Sequence, residues 1–544
     1  MDLNTTKRTT QNISLGYSSD TQNRETAKQV YERLKTDRNN YTDRAESCAQ
    51  FTIPALFPKE TDNASSTYKI PHQSFGARGV NNLSSKLLLA LFPPNSTFFR
   101  LDMNPILKAN VSQQDPQMQQ EIEAAMMKME QRILKYIETS QIRVTIKEAL
   151  NQLIVAGNCL LYLPPKEGGA KLYRLSSYVC QRDALGKVLQ IVTVDKLMFG
   201  TLPQDVKDML MTSEGGKQWR VTDPVEIYTH VYLEGDTYYS YQETEGKPIQ
   251  GTEQQFPYDK SPWIALRFVK MDGESYGRSF VEEYLGDLKN LDGLQEAILN
   301  YAAIAAHILY LVNPGGMTQA RRIAKAKTGD FVPGRKDDIS VLQLDKSTDI
   351  MIAKNTVDAI EQRLSYCFIL NSVVQRDAER VTAEEIRQVA GELEDTLGGT
   401  YSILSQELQL PLVKRIMAQL EANGEIPTTQ QGDIEPSITT GLEALGRGHD
   451  YNKLEMLQQS ISTLPGAEQY INVGAFIKAK ATSLGIDTTG LIKTDEQIQQ
   501  EQQQAMEQQM MTNATGPAVN GLMSMAQNEQ QANLNNPTMM DANE

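Results

Sequence analysis

Between residues 272 and 399, apolar positions fall at helical spacing twice, separated by a polar, basic interval. In the first run Val281, Tyr284, Leu285, Leu288, Leu291, Leu294, Ile298 and Tyr301 recur at intervals of mostly three and four. Ser279-Phe280-Val281-Glu282 has the form of a capping box, in which hydroxyl and carboxylate each satisfy an orphan amide. A helix is therefore predicted from Ser279 to about Tyr310, roughly 30 residues at ~1.5 Å each, or a rod of about 45 Å. Its second half (Ala297, Ala302, Ala303, Ala305, Ala306) is small and apolar almost all round, which suits burial between neighbouring helices, including those of other subunits. A membrane span is not supported: Asn300 and His307 interrupt a stretch shorter than the roughly 18 apolar residues needed. The second run, Ile350, Ala353, Val357, Ile360, Leu364 and Phe368, predicts another rod from about Thr348 to Leu370. The interval opens with the breaker Asn313-Pro314-Gly315-Gly316. It carries Arg321, Arg322, Lys325, Lys327, Arg335 and Lys336 against Asp330, Asp337 and Asp338. Two rods with a basic tip make a stalk. A polar loop at residues 371–380 follows, and Thr382-Ala383-Glu384-Glu385 then opens an acidic helix that ends near Gly398-Gly399.

Upstream, residues 25–49 read as a charged amphipathic helix and residues 73–91 as a second, stopped by Pro93-Pro94. Residues 115–139 and 142–156 are further helices, with Met126, Met127 and Met129 as adaptable packing. From Cys159 to about Arg267 the pattern turns to strands. Residues 172–182 and 188–194 flank the turn at 183–186, and residues 225–233 and 237–242 flank 234–236, giving two hairpins. Tyr228, His230 and Tyr232 would share one face, with the histidine as a satisfied structural residue. Beyond Gly399, a helix over 401–420 should kink at Pro411; residues 428–435 form a polar link, and helices return at 450–462 and 467–483. After about Thr494 the chain has no lysine or arginine and is rich in Gln, Asn and Met, a composition of disorder.

Composition changes this picture little. Hydrophobic content of 40% and charged content of 22% are ordinary for a folded protein, and 544 residues allow several domains. The N-terminus is polar and lacks the apolar core of a secretory signal. Cys48, Cys159, Cys180 and Cys367 are scattered in apolar or helical contexts, as small buried hydrophobes in a reducing compartment rather than a disulfide framework or zinc site. The formal charge of -15 argues against gripping nucleic acid over a broad surface.

Tyr276-Gly277-Arg278-Ser279 before the first rod, Gly76-Ala77-Arg78-Gly79, and Val374-Gln375-Arg376 through Glu379-Arg380-Val381-Thr382-Ala383-Glu384-Glu385-Ile386-Arg387 carry a family resemblance. The chain resembles the portal (head-to-tail connector) proteins of short-tailed, T-odd-type phages, the podovirus or autographivirus type, up to about Asp495. The resemblance implies an α+β, mainly α, portal fold with wing, stem, clip, tunnel loop and crown, assembled as a ring. It would place an N-terminal arm and wing in residues 1–275 and stem helix 1 in 276–310. The clip would follow in 311–345, stem helix 2 in 346–370, and the tunnel loop with the acidic helix in 371–400. Wing-to-crown helices would occupy 401–495 and the Gln/Met-rich tail 496–544. It implies a conduit at one capsid vertex for genome packaging, retention, ejection and tail attachment, in the virion after assembly in the host cytoplasm. The implied partners are further copies in a twelve-subunit ring, double-stranded DNA in transit, a terminase motor, a tail adaptor, and scaffold, capsid and internal core proteins, with no membrane. By position in the matching motif, Arg376 is the residue expected nearest DNA. Gln375, Arg380, Glu384 and Glu385 join it as channel or valve residues; Arg321, Arg322, Lys325, Lys327, Arg335 and Lys336 dock partners.

No catalytic, metal or cofactor constellation stands beside this. Residues 329–336 have the glycine spacing of a phosphate loop, but Arg335 stands where lysine must reach phosphate and Lys336 where a hydroxyl must hold magnesium. The acids Glu384, Glu385, Glu392, Glu394 and Asp395 suit a solvated helix face with its N-terminal dipole stabilised. A scaffold or tail component, and less readily a nucleic-acid-processing enzyme, are the competing classes; two rods flanking a basic excursion fit a portal better.

Overall fold

A computed structural model describes residues 25–59, 62, 66–94, 97–107, 116–165, 168–212, 218–306, 309–316, 318–342, 347–370, 389, 391–393, 396–428, 433–438, 454–460, 474, 476–477 and 480. Helices and strands mix in one large unit, Met1–Ala444; in a second unit, Leu445–Glu544, residues 454–460 are helical.

The helix Ala27–Gln50 starts at a full capping box between Thr26 and Gln29. Its first half lays Ala27, Val30, Tyr31 and Leu34 on a sheet face formed by Val179, Val192 and Tyr228. Behind it, Phe75–Leu91 and Ile142–Ala156 join the main core. Two glycines allow the close approach. A Cβ on Gly76 would meet the Phe51 carbonyl and one on Gly79 the Phe368 ring, both within van der Waals contact distance. Those two positions of the Gly76-Ala77-Arg78-Gly79 motif are therefore packing requirements.

Strands follow where alternation predicts them, with one correction. Residues 172–182 are not one strand: a turn at Leu175–Ser177 divides them. Lys171–Arg174 pairs with Asn158–Tyr162 in a three-stranded sheet completed by Trp263–Arg267, whereas Tyr178–Arg182 is the edge of a six-stranded sheet beside Val188–Met198. Pro224–Glu234 and Thr237–Thr244 form the second hairpin, turned at Gly235 with φ +62°. His230 is buried, with Nδ1 at 3.2 Å from the Tyr241 hydroxyl and Nε2 at 3.2 Å from Gln190 Oε1, a satisfied structural histidine. A short helix, Gln204–Met211, sits within this region although the strand pattern did not announce it.

The end of the polar link at 428–435 runs into a strand that the sequence did not announce. Ile434–Ile438 pairs with Phe99–Met103, joining segments more than three hundred residues apart. Pro411 does interrupt its helix. The disturbance is absorbed one step upstream as a π-turn at Ser405–Gln409 between Gly399–Leu404 and Leu410–Ala422. The widened turn lets Gln409 Nε2 donate to the Leu91 carbonyl (2.5 Å), so the break also serves a tertiary contact.

The two rods run side by side. Phe280–Ala306 buries Val281, Leu288 and Leu291; Ser347–Cys367 buries Val357, Ile360 and Leu364 against the same core, joined there by Phe368 just beyond its end. Arg363 to Asp287 (2.9 Å) and Gln295 to Glu361 (3.1 Å) cross-link them. The first rod is shorter than expected. Leu309–Val312, rich in β-favouring side chains and facing the Asn313-Pro314 breaker, becomes a strand paired with Ile339–Leu342. The capping box is half formed: Ser279 Oγ accepts from the Glu282 amide (2.9 Å), while the Glu282 carboxylate turns to Arg278 and Arg44.

What aims the first rod is a buried junction. Gly157, at φ +73°, ends Ile142–Ala156, and a Cβ there would strike the Arg278 backbone. Next to it the Asn158 side chain makes a reciprocal pair with Gly277: Nδ2 donates to its carbonyl (2.8 Å) and Oδ1 accepts from its amide (2.6 Å). The buried Tyr276 hydroxyl accepts from the Cys180 amide (2.9 Å). Arg278 is held by Glu274 (2.6 Å). Asn158→Ala should orphan two buried backbone groups and destabilise the chain by roughly 2–4 kcal/mol in urea denaturation; an unchanged midpoint would show that the junction is not structural.

Lys147 supplies a second measurable quantity. Its Nζ donates to Ser84 Oγ (2.6 Å), Ser85 Oγ (2.6 Å) and the Asn81 carbonyl (3.1 Å), and burial pushes its pKa down to about 8. Because the folded pKa lies below the unfolded one, the unfolded chain binds more protons between about pH 8 and 10.5, so this group's penalty fades as pH rises. The stability difference between wild type and Lys147→Met should therefore shift in favour of wild type from pH 7 to pH 10, read as paired denaturation midpoints; a constant difference would contradict the burial effect.

Candidate functional site

The six basic residues singled out at the tip come together on one loop. Its stem is the antiparallel pair Leu309–Val312 and Ile339–Leu342, with the Asn313 amide donating to the Asp338 carbonyl (2.9 Å). Asp338 is buried and accepts from both the amide (3.2 Å) and hydroxyl (2.8 Å) of Thr318. Thr318 Oγ1 in turn accepts from the Arg335 amide (2.9 Å). One threonine thus ties both ends of the loop, the property of a compact surface loop with a fixed shape. Gly316 and Gly334 leave the room: a Cβ at 316 would meet the Asp338 carboxylate and one at 334 the Thr318 hydroxyl.

Outside this pin, Arg321, Arg322, Lys325, Lys327, Arg335 and Lys336 are all exposed. Among the described residues none of the six side chains closes an ion pair within 4 Å. A turn at Lys327 to Asp330 closes reciprocally: the Asp330 amide donates to the Lys327 carbonyl (3.0 Å), and the Lys327 amide to Asp330 Oδ2 (2.7 Å). Gly329 occupies its third position at φ +100°, which a β-carbon would disfavour. Phe331 follows directly and is wholly exposed. Residues 329–336 are irregular and exposed, not a strand-to-helix turn, so the phosphate-loop spacing has no cradle around it.

The second group, Gln375, Arg376, Arg380, Glu384 and Glu385, lies outside the described residues, as do His307 and the Thr382 capping box. Their approach is described. The second rod ends with the Leu370 amide donating to the Ser365 carbonyl (2.9 Å), and Ile369 takes a left-handed φ of +53° where glycine is usual. A β-branched residue there is strained, and outside contacts hold it. Asn82 Nδ2 donates to the Phe368 and Ile369 carbonyls (3.0 and 2.9 Å). Lys86 Nζ donates to the Ile369 carbonyl (2.9 Å) and lies 3.4 Å from Glu392 on the segment beyond the loop. Burial lowers the Lys86 pKa, and Glu392 partly restores it.

Sequence reasoning found the cations and missed what organises them. Thr318 and Asp338 gave no pattern at all. Phe331, an aromatic between Gly-Asp and Val-Pro-Gly in a polar loop, was a signal that could have been taken. No group of His, Cys, Asp and Glu among the described residues is placed to hold a metal, and no helix among them is long and apolar enough to cross a membrane. Cys48, Cys159 and Cys180 are buried, unpaired thiols; burial raises their pKa values, that of Cys48 to about 11.

The profile of the bacteriophage head to tail connecting proteins matches residues 24–492. The portal protein of Escherichia phage T7 is 51% identical over 92% of this chain and 94% of its own length. That of Enterobacteria phage T3 is 50% identical over 93% and 95%, and that of Enterobacteria phage SP6 30% identical over 92% and 96%. A solved chain from the virion of a native gene transfer agent particle superposes at a TM-score of 0.36 with 12% identity, over 76% of this chain and 90% of that one, a likeness too loose to add weight. With half of its residues shared along almost its whole length, the chain belongs to the bacteriophage head to tail connecting proteins, the portal family of short-tailed phages.

Proposed function

We propose that this chain is a portal subunit with a structural rather than enzymatic role. Copies of it close into a ring, twelve by the family resemblance, around a channel for double-stranded DNA at one capsid vertex. The observation that carries the reading is apolar surface on the rods that the chain itself leaves uncovered. Leu299 and Ile304 on the first, and Met351, Ile352 and Tyr366 on the second, are exposed, along with Ala297, Ala302, Ala303 and Ala305. A single chain leaves these side chains in water. Covering one large apolar side chain is worth ~1.5–3 kcal/mol, and small residues beside it admit a second helix closely. Neighbouring copies supply that cover when the rods stand as a stem.

The segments take their roles accordingly: wing in the strands before residue 276, stem in the two rods, clip in the hairpin between them. Residues 371–400 supply the tunnel loop and acidic helix, and helices from 401 onward lead to the crown. The clip docks the terminase motor during packaging and the tail adaptor afterwards. Arg376 stands nearest DNA, with Gln375, Arg380, Glu384 and Glu385 beside it. A guanidinium can hold a phosphate bidentately, and one exposed contact is worth only about 1 kcal/mol. Ring symmetry repeats it, so a weak contact becomes a brake on outward movement while the near-neutral loop avoids sticking.

Ile304→Glu combined with Met351→Glu should leave the subunit folded by circular dichroism and shift it from rings to monomers in light scattering and electron microscopy. Rings formed as readily as in wild type would remove the basis of the assembly reading. Particles carrying Arg376→Ala should package DNA normally and lose it faster on heating, measured as released genome; normal retention with intact rings would discard Arg376 as the brake.

A further inference from the structure

The wholly exposed Phe331 has no use within the chain. It lies just beyond a closed turn whose third residue, Gly329, has a conformation that favours glycine, and it belongs to a loop whose ends Thr318 and Asp338 tie together. A fully exposed phenyl ring gains free energy when a partner covers it, and the hydrogen-bonded turn at Lys327–Asp330 just before it helps to present it. Around it in sequence stand six exposed cations, against two exposed carboxylates, Asp330 and Asp337; the third acid of the loop, Asp338, is buried on Thr318.

We infer that Phe331 is the apolar anchor of the docking tip, inserting into a socket on an acidic protein surface while Arg321, Arg322, Lys325, Lys327, Arg335 and Lys336 form the charged rim. This rests on the docking reading above and adds the residue that holds the partner once it has arrived. Interfaces concentrate their energy in a few central aromatic or arginine side chains ringed by polar contacts, and exposed rim charges act mainly on the rate of encounter. Charge favours a distinct, acidic protein as the occupant over a neighbouring copy, which would offer only two exposed carboxylates against the same six cations; loss of rings in Phe331→Ala would make the neighbouring copy the occupant and overturn the proposal. It is a protein rather than duplex DNA, because a phosphate backbone offers no socket for a phenyl ring, whereas the cations alone would suffice for phosphate.

The test uses rings of the full chain and the purified tail adaptor protein of the same phage, with binding followed in real time at low and high salt. Phe331→Ala should weaken binding by at least about tenfold at both salt concentrations, chiefly through faster dissociation, and Phe331→Leu should recover most of it. Arg321→Glu with Arg322→Glu should instead slow association, an effect that shrinks as salt rises. Electron microscopy checks that each variant still forms rings. Unchanged affinity in Phe331→Ala, with the charge reversal still effective, would overturn the anchor and leave the docking reading intact. No effect of either variant would overturn both. A short DNA duplex bound with the same dependence on Phe331 would make the occupant nucleic acid and overturn the proposal.

Discussion

The fold turns on a buried side-chain amide that has taken the place of a backbone strand. Asn158 lies at the exact point where one helix has ended, a strand is beginning, and a segment 119 residues later must pass close by before starting the first rod. A backbone amide and carbonyl at Gly277 would be orphaned there, and each unsatisfied buried group costs about 1–3 kcal/mol. The carboxamide offers a donor and an acceptor on one plane and so satisfies both. Gly157 and Gly277 remove the Cβ atoms that would prevent the approach: one on Gly277 would meet the Gly157 carbonyl and the Val269 carbonyl. Beside them Arg267 reaches Glu407 (2.5 Å), tying the π-turn of a later helix to the same point. The direction of the first rod is thus fixed at its base by three segments of chain.

That anchorage explains how the rods can be apolar at their far ends without collapsing on the body. Their proximal halves bury Val281, Leu288, Leu291, Val357, Ile360 and Leu364 in the main core. Their distal halves have no such cover, and the Leu309–Val312 hairpin stem holds the two ends together. A free apolar helix pair would fold back to hide its surface; one clamped at both ends presents it. The same constraint makes the surface available to another copy at little cost in ordering, because the chain entropy has already been lost in folding.

Long-period features were legible because they follow from local chemistry. Both rods, the four helices before residue 157 and the strand region announce themselves by spacing, and Pro93-Pro94 and Asn313-Pro314 end their elements where proline must. The misses have a common physical cause: they depend on partners distant in sequence. Ile434–Ile438 is a strand because Phe99–Met103 offers an edge, and nothing in a short polar link signals that. The run at 172–182 looks continuous because its alternation continues through Leu175–Ser177, although the two halves serve different sheets. Glu282 has the right spacing to close a capping box, but Arg278 and Arg44 are stronger partners for a carboxylate than a peptide amide is. At the tip the cations were legible as composition, while the Thr318–Asp338 pin that shapes them was not.

Charge shows the same division between what totals reveal and what geometry decides. A formal charge of -15 describes a chain that repels DNA, yet it says nothing of the tip. Ile298 is the last side chain of the first rod that packs on the core. Eight more helical residues, a rise of about 12 Å, follow it before the rod ends at Ala306. At physiological salt, charges are screened over ~8 Å, so groups beyond the end of the rod are largely shielded from the acidity of the body. It behaves as a separate, cationic object at the end of a spacer. The length of the spacer thus lets a basic surface exist on an acidic protein, and under the proposed assembly its sides would be the surfaces that neighbouring copies cover.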